Sequence, residues 1–127
     1  MTDFLFSREG QFYVPAPTSR GPWNPKFLHG GPPAALLAHA LEGERGGAEW
    51  RVTRITIDLF RPVPFAPLEL RTQLVRQGKR IKLVDAWITA EGTEVARCSG
   101  LMLLASPEVF EGAAALSSAR PIPAWQD

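Results

Sequence analysis

Apolar residues recur with a helical period over one stretch of this 127-residue chain. Four of them lie at i, i+3, i+4 and i+7 and share one stripe of a helix, namely Ala34, Leu37, Ala38 and Leu41. Gly31 can serve as the N-cap, and prolines in the first turn cost no internal hydrogen bond. Gly46 and Gly47 end the pattern after about Arg45. The spacing therefore predicts one helix, from Gly31 to about Arg45.

Elsewhere apolar and polar residues alternate with the period of two that is typical of strands. Four such runs follow the helix, over residues 50–61, 68–77, 81–90 and 93–105. A shorter aromatic run over residues 4–14 predicts a first strand, which Pro15 and Pro17 stop. The last run carries small residues around Gly100 on one face, and we expect the helix to lie close against them.

One helix and about five strands predict an α+β fold of two layers, in which a curved antiparallel sheet wraps the helix. We expect one domain over residues 1–106, followed by a proline- and alanine-rich tail or linker over residues 107–127. Run 50–61 is long and apolar, and an unpaired strand of that kind is an aggregation hazard unless another copy covers it. The pattern therefore favours a dimer or a higher homo-oligomer.

Composition excludes several classes of function. The formal net charge of +1 produces no field strong enough to hold nucleic acid or an anionic membrane. Cys98 is the only cysteine, which excludes a disulfide framework and a cysteine metal site within one chain, and we expect no metal and no cofactor. Residues 1–10 lack the apolar run of a secretory signal, and no segment approaches the roughly 20 apolar residues that span a bilayer. We expect a cytoplasmic protein.

Two motifs resemble those of a known family. The run FLHGG at residues 27–31 enters an alanine- and leucine-rich helix, and RITIDLFRPVP at residues 54–64 precedes LEL at residues 68–70. Over residues 10–105 the chain resembles the N-terminal hotdog of the double-hotdog, medium-chain-type acyl-CoA thioesterases. The resemblance implies a hotdog fold that pairs into a homodimer and hydrolyses an acyl-CoA or acyl-carrier thioester in a cleft at the dimer interface.

Thioester hydrolysis needs hydrogen-bond donors at the carbonyl oxygen, and the start of the helix can supply them. Gly30 and Gly31 allow a ligand close to the first helical amides, where the helix dipole favours negative charge. Pro32 and Pro33 have no amide hydrogen, so Gly31 and Ala34 are the donors expected to remain. In the alternative interpretation, the glycines only let the loop turn into the helix.

His29 and Asp58 are the candidate catalytic residues. The pKa of a histidine lies close to neutral pH, so His29 can act as a base or a polariser, or it can simply bond a loop carbonyl. Asp58 lies in an apolar strand and needs a partner or a role. It either points into the acyl or pantetheine cleft of a dimer or pairs with Arg54 or another basic residue across the strands. Trp23, Asn24 and Phe27 are expected to border the cleft.

The chain also departs from the family pattern. Similar single-hotdog thioesterases carry a helical carboxylate nine residues after the motif histidine, and that position is Ala38 here. Double-hotdog enzymes keep their acid, hydroxyl and glutamine mainly in the second hotdog. These departures favour the alternative of a non-catalytic hotdog that binds acyl groups or a partner domain, as half of a larger assembly. A hydratase of the same fold is disfavoured, because Pro22 and Phe27 stand where its aspartate and histidine belong.

Overall fold

The computed structural model describes residues 4–105. In chain order the elements are strands β1 (Phe6–Glu9) and β2 (Phe12–Pro15), a 3-10 turn (Pro17–Ser19), helix α1 (Gly31–Gly43), and strands β3 (Trp50–Leu59), β4 (Leu68–Gln77), β5 (Ile81–Ala90) and β6 (Thr93–Leu104). The strands form one sheet in the order β1-β2-β4-β5-β6-β3, and every pairing is antiparallel. The predicted α+β architecture of one helix against a curved antiparallel sheet is confirmed. The tail predicted over residues 107–127 lies outside the described residues.

The N-terminal run differs from its prediction. Residues 4–14 do not form one strand, because Gly10 adopts a left-handed backbone with φ of 62° and turns the chain into the β1–β2 hairpin. Phe6 pairs with Pro15 at the open end of this hairpin. The sheet therefore has six strands rather than about five. The other four predicted strands agree with β3 to β6 to within two residues.

The helix was predicted with small errors at both ends. Its N-cap is Gly30 rather than Gly31, because Gly30 already has helical angles, with φ of −67° and ψ of −25°. It ends at Gly43, two residues before the predicted end. The buried stripe is also rotated, with Ala34 and Ala38 only half-buried, and consists of Pro32, Pro33, Leu36, Leu37, Ala40 and Leu41. Packing against the sheet selects the larger side chains for the buried side.

The core lies between α1 and the inner face of the sheet. Leu37 and Leu41 are fully buried there. A Cβ built on Gly100 of β6 would lie 2.6 Å from Leu41 Cδ1 and 3.2 Å from Leu41 Cγ. The helix therefore lies so close to the sheet that only glycine fits at position 100. The small residues of this strand predicted this close approach.

One cation lies on this inner face. Lys82 of β5 is buried, and its Nζ donates to the carbonyl of Arg45 at 2.6 Å and to that of Glu44 at 3.4 Å. Its Nζ also lies 4.5 Å from the centre of the Trp50 ring. These bonds satisfy carbonyls just past the helix, where a cation is favoured, and they tie the C-terminal end of α1 to the sheet.

Gly100→Ala is expected to lower the free energy of unfolding by about 1–3 kcal/mol, because the added methyl group overpacks a core in which Leu41 has no free space. Urea unfolding measures the change. Ser99→Ala, the neighbouring position on the outer face, serves as the control and should change the stability by less than about 0.5 kcal/mol. Equal stability of Gly100→Ala and the native chain would show that the close approach is not a constraint.

Candidate functional site

Backbone hydrogen bonds hold the loop before α1 against the segment after β3. The N–H of Leu28 donates to the Val63 carbonyl at 2.9 Å, and the N–H of Phe65 donates to the Lys26 carbonyl at 2.8 Å. Residues 26–28 therefore run antiparallel beside residues 63–65. This short ladder positions His29 and Gly30 at the entrance of the helix.

Side chains strengthen the same loop. The Arg20 guanidinium lies 3.8 Å from the centre of the Phe65 ring, and its Nη1 donates to the Pro25 carbonyl at 2.6 Å. Asn24 Oδ1 accepts the N–H of Lys26 at 2.9 Å, which is a typical turn contact of asparagine. Side-chain contacts therefore stabilise this loop, and the amide side chain of Asn24 provides one of them.

A cavity of about 370 Å³ opens beside the helix N-terminus. We call it the entrance cavity, and it is lined by Leu28, His29, Gly30, Pro33, Leu59, Phe60, Arg61, Pro62 and Val63. Leu59 and Phe60 are 46% and 49% exposed. Leu59 is the last residue of β3 and Phe60 follows it directly. β3 pairs with β6 on one side and with no strand among residues 4–105 on the other. The entrance cavity therefore lies at a free edge of the sheet.

The amides at the helix start are not equally available. The N–H of Gly31 donates to His29 Nδ1 at 3.4 Å, and the N–H of Ala34 donates to the Gly30 carbonyl at 3.3 Å. The N–H of Gly30 has no acceptor within residues 4–105. The structure therefore favours Gly30, rather than Gly31 or Ala34, as the donor open to a ligand.

The same hydrogen bond sets the chemistry of His29. Because Nδ1 accepts from the Gly31 N–H, the neutral imidazole carries its proton on Nε2. In this tautomer His29 presents a hydrogen-bond donor, which suits a polariser better than a base. His29 and Gly30 both line the entrance cavity.

Asp58 lies outside the entrance cavity. Strand alternation places it on the outer face, where its Oδ2 is 3.0 Å from Arg97 Nε. The ion pair that was one interpretation of Asp58 is present, and its partner is Arg97 rather than Arg54. Asp58 lines a separate cavity of about 340 Å³ on that face. The structure does not bring Asp58 to His29 within one chain, and no carboxylate of residues 4–105 lines the entrance cavity. Its catalytic role stays a prediction.

The predicted cleft residues are also separated. Trp23 is 88% exposed and is not among the residues of 4–105 that line the entrance cavity. Phe27 is half-buried and lines a third cavity, of about 350 Å³, with Arg61, Pro62 and Pro64. This third cavity and the entrance cavity share Arg61 and Pro62.

Phe60, Arg61 and Pro62 line the entrance cavity without having been predicted as site residues. Their one sequence signal is the proline that stops β3, because the chain must then turn back toward the helix entrance. Cys98 can be set aside as a nucleophile, since burial raises the pKa of its thiol to about 11 and keeps it protonated at neutral pH.

Comparison with known proteins identifies the family. The model of the acyl-CoA thioesterase N-terminal domain matches residues 19–103. The chain therefore belongs to this family of hotdog-fold, thioesterase-like proteins. No curated protein sequence matches the chain. No helix within residues 4–105 is long and apolar enough to cross a membrane.

Solved structures support the same fold. The BH2602 protein from Bacillus halodurans, solved with CoA, shares 20% identity with a TM-score of 0.63, over 76% of this chain and 67% of that chain. The smu.793 protein from Streptococcus mutans, bound to acetyl CoA, shares 20% identity with a TM-score of 0.63, over 70% of this chain and 73% of that chain. A thioesterase superfamily protein shares 30% identity with a TM-score of 0.60, over 68% of this chain but only 46% of that chain.

Asp58→Asn is expected to change the free energy of unfolding by less than about 1 kcal/mol, because its ion pair with Arg97 is half exposed and water screens it. Urea unfolding of Asp58→Asn, Arg97→Gln and the double variant measures the coupling between the two side chains. A coupling of several kcal/mol would contradict this weak pairing. Assaying the same Asp58→Asn protein for thioester hydrolysis tests the catalytic prediction.

Proposed function

We propose that this chain hydrolyses acyl-CoA thioesters in the entrance cavity, at an interface with a second copy. One observation carries the proposal, which is that one cavity at the helix N-terminus is lined both by His29, whose Nδ1 accepts the Gly31 N–H, and by Gly30, whose N–H has no acceptor within residues 4–105. Membership of the acyl-CoA thioesterase N-terminal domain family supports it, as do two relatives of the same fold solved with CoA or acetyl CoA. We place the reaction in the cytoplasm.

In the proposed reaction the thioester carbonyl oxygen accepts hydrogen bonds from the Gly30 N–H and from His29 Nε2–H. Water attacks the carbonyl carbon, and negative charge develops on that oxygen in the tetrahedral intermediate. The helix dipole and both donors stabilise the charge, each donor being worth about 3 kcal/mol of barrier. A group of the second copy accepts a proton from the attacking water. The C–S bond then breaks, that group passes the proton to the leaving CoA thiolate, and the acid and CoA are released.

A second chain is part of this proposal. The attacking water needs a group that accepts its proton, and none of the described residues that line the entrance cavity is a carboxylate. β3 offers a free edge for pairing, and Leu59 and Phe60 expose apolar surface beside the cavity. We infer that a second copy pairs along β3, covers this surface and completes the site.

Gly30→Pro tests the amide donor directly. Proline fits the observed φ of −67°, so the loop keeps its course while the N–H disappears. We expect kcat/KM for acyl-CoA to fall by about 10²–10³. Release of free thiol from a panel of acyl-CoAs is the measurement.

Gly30→Ala is the matched control, because it keeps the N–H and its Cβ would only touch Leu59 Cδ1 at 3.4 Å. It should retain most of the activity. Circular dichroism and unfolding show that both variants fold. Equal activity of folded Gly30→Pro and Gly30→Ala would remove Gly30 from the mechanism.

His29→Ala should lower kcat by about 10²-fold, because it removes the second donor. His39→Ala is its control, since His39 is exposed on α1, is not among the residues that line the entrance cavity, and has its ring in an edge-to-face arrangement with Tyr13, with 6.2 Å between ring centres. Thiol release is measured for both. Equal losses in the two variants would contradict a specific role of His29.

A second candidate function is binding without hydrolysis. The lack of a carboxylate among the cavity-lining residues in the described part of the chain favours it, as does Ala38 at the helical position where similar enzymes carry an acid. The chain also spans 46% of the relative to which it is 30% identical, which agrees with half of a larger assembly. Saturable binding of acyl-CoA by a folded dimer with no thiol release would support this candidate. Turnover by the purified chain alone would exclude it.

A further inference from the structure

A groove lies between the β1–β2 hairpin and α1, at the opposite end of the sheet from β3. Two further cavities form it, one of about 260 Å³ and one of about 460 Å³, and Tyr13 and His39 line both of them. We call the two cavities together the hairpin groove. Its size falls in the range of roughly 300–1,000 Å³ that is typical of sites for small molecules.

The way the hairpin is attached explains why the groove exists. β2 pairs with β4 at two positions only, Phe12 with Glu69 and Tyr13 with Leu68. A hairpin attached over so short a length does not close onto the helix. Its open end is nevertheless fixed, because the Leu5 carbonyl accepts the N–H of Ala16 at 2.8 Å and the hydroxyl of the buried Ser19 at 2.6 Å. The groove therefore has two ordered walls.

The two halves of the hairpin groove differ in polarity. Apart from Tyr13 and His39, the smaller cavity is lined only by apolar residues, which are Leu5, Phe6, Ala35 and Leu36. The lining of the larger cavity includes the polar or charged side chains of Arg8, Gln11, Glu44 and Thr72. A molecule that fills both cavities therefore needs an apolar part and a polar part.

Hydrogen-bond donors meet in the middle of the groove. Strand register places Arg8 opposite Tyr13, and the Arg8 guanidinium lies 5.8 Å from the centre of the Tyr13 ring. The Tyr13 ring in turn lies edge-to-face with His39, with 6.2 Å between ring centres. A guanidinium, a phenol and an imidazole all carry donors, and the guanidinium is always charged. An anionic oxygen is therefore favoured at this point.

The far end of the polar half disfavours an anion. Glu44 follows His39 by five residues, which is about 7 Å along the helix axis. Its Oε1 accepts the hydroxyl of Thr72 at 2.6 Å. Because like charges repel, a negative group is favoured beside Arg8 rather than beside Glu44. The charge pattern thus places the anionic group next to the apolar half.

We propose that the hairpin groove binds a carboxylate that carries a hydrocarbon tail. The tail lies between Leu5, Phe6 and Leu36, and the carboxylate accepts hydrogen bonds from Arg8, Tyr13 and His39. Such an acid is the chemical class that thioester hydrolysis releases, but the inference goes beyond the proposed function. Within residues 4–105 the hairpin groove and the entrance cavity share no lining residue, so the two sites are separate.

Titration of the full chain with octanoate, followed by amide NMR shifts, tests the proposal. We expect saturable shifts in residues 5–13 and 35–44. Ala35→Trp fills the apolar half from an exposed position and should weaken binding by about tenfold or more, because the tail loses the burial of two or more methylene groups. Ala48→Trp is the matched control, since Ala48 is also exposed and lies outside the groove lining.

Octanol, which has the same tail without the charge, tests the carboxylate part. We expect octanol to bind more weakly than octanoate. Arg8→Gln should weaken octanoate binding by about fivefold, as for an exposed ion pair, and leave octanol binding unchanged. Arg51→Gln is the control, because Arg51 is an exposed arginine of β3 at the other edge of the sheet. Circular dichroism shows that each variant folds.

Three results would overturn the proposal. The first is the absence of saturable shifts, or shifts confined to residues 28–30 and 59–63, which would place the acid in the entrance cavity. The second is equal octanoate affinity of folded Ala35→Trp and Ala48→Trp. The third is octanol binding as tightly as octanoate. Thiol release from acyl-CoA is measured on the same proteins, so loss of the groove and failure of the proposed hydrolysis are scored separately.

Discussion

The close approach of the one helix to the sheet is the constraint on which the rest of this structure depends. Leu41 occupies the space where any side chain at Gly100 would begin, and Leu37 is fully buried beside it. Lys82 holds the far end of the helix through the carbonyls that follow it. These contacts fix the position of the helix axis and therefore that of its N-terminus. The hydrogen bond from the Leu28 N–H to the Val63 carbonyl then holds the segment after β3 beside that N-terminus.

The pleat of β3 then places the candidate site residues on two different faces of the sheet. Successive side chains of a strand point to opposite sides, so Leu59 enters the entrance cavity while Asp58 turns to the outer face and pairs with Arg97. Pairing of β3 with a second copy would extend the sheet without exchanging its faces. Among residues 4–105 the lining of the entrance cavity includes no carboxylate, and in the proposed reaction the proton acceptor comes from a second copy.

Much of the fold was predictable because nearby prolines and glycines mark where its helix and strands begin and end. Strands β4 and β5 have the predicted bounds because proline and glycine flank them, and the faces of β3 follow from simple alternation. The hairpin at Gly10 was missed because it interrupts an aromatic run, and the helical stripe was rotated because alanines fit either side. The open amide of Gly30 depends on which acceptors lie nearby, and the partner of Asp58 depends on strand register. Neither property is visible in a sequence.

The central claim is that the helix entrance polarises a thioester carbonyl. Isotope-edited infrared spectroscopy measures this in the full chain, with a ¹³C-labelled acyl-CoA analogue that carries a methylene group in place of sulfur and cannot be hydrolysed. Donors that are already oriented weaken the C=O bond more than mobile water does. The account predicts a lower carbonyl frequency for the bound analogue than in buffer, and loss of that shift in Gly30→Pro. A bound frequency equal to or above that in buffer would contradict it.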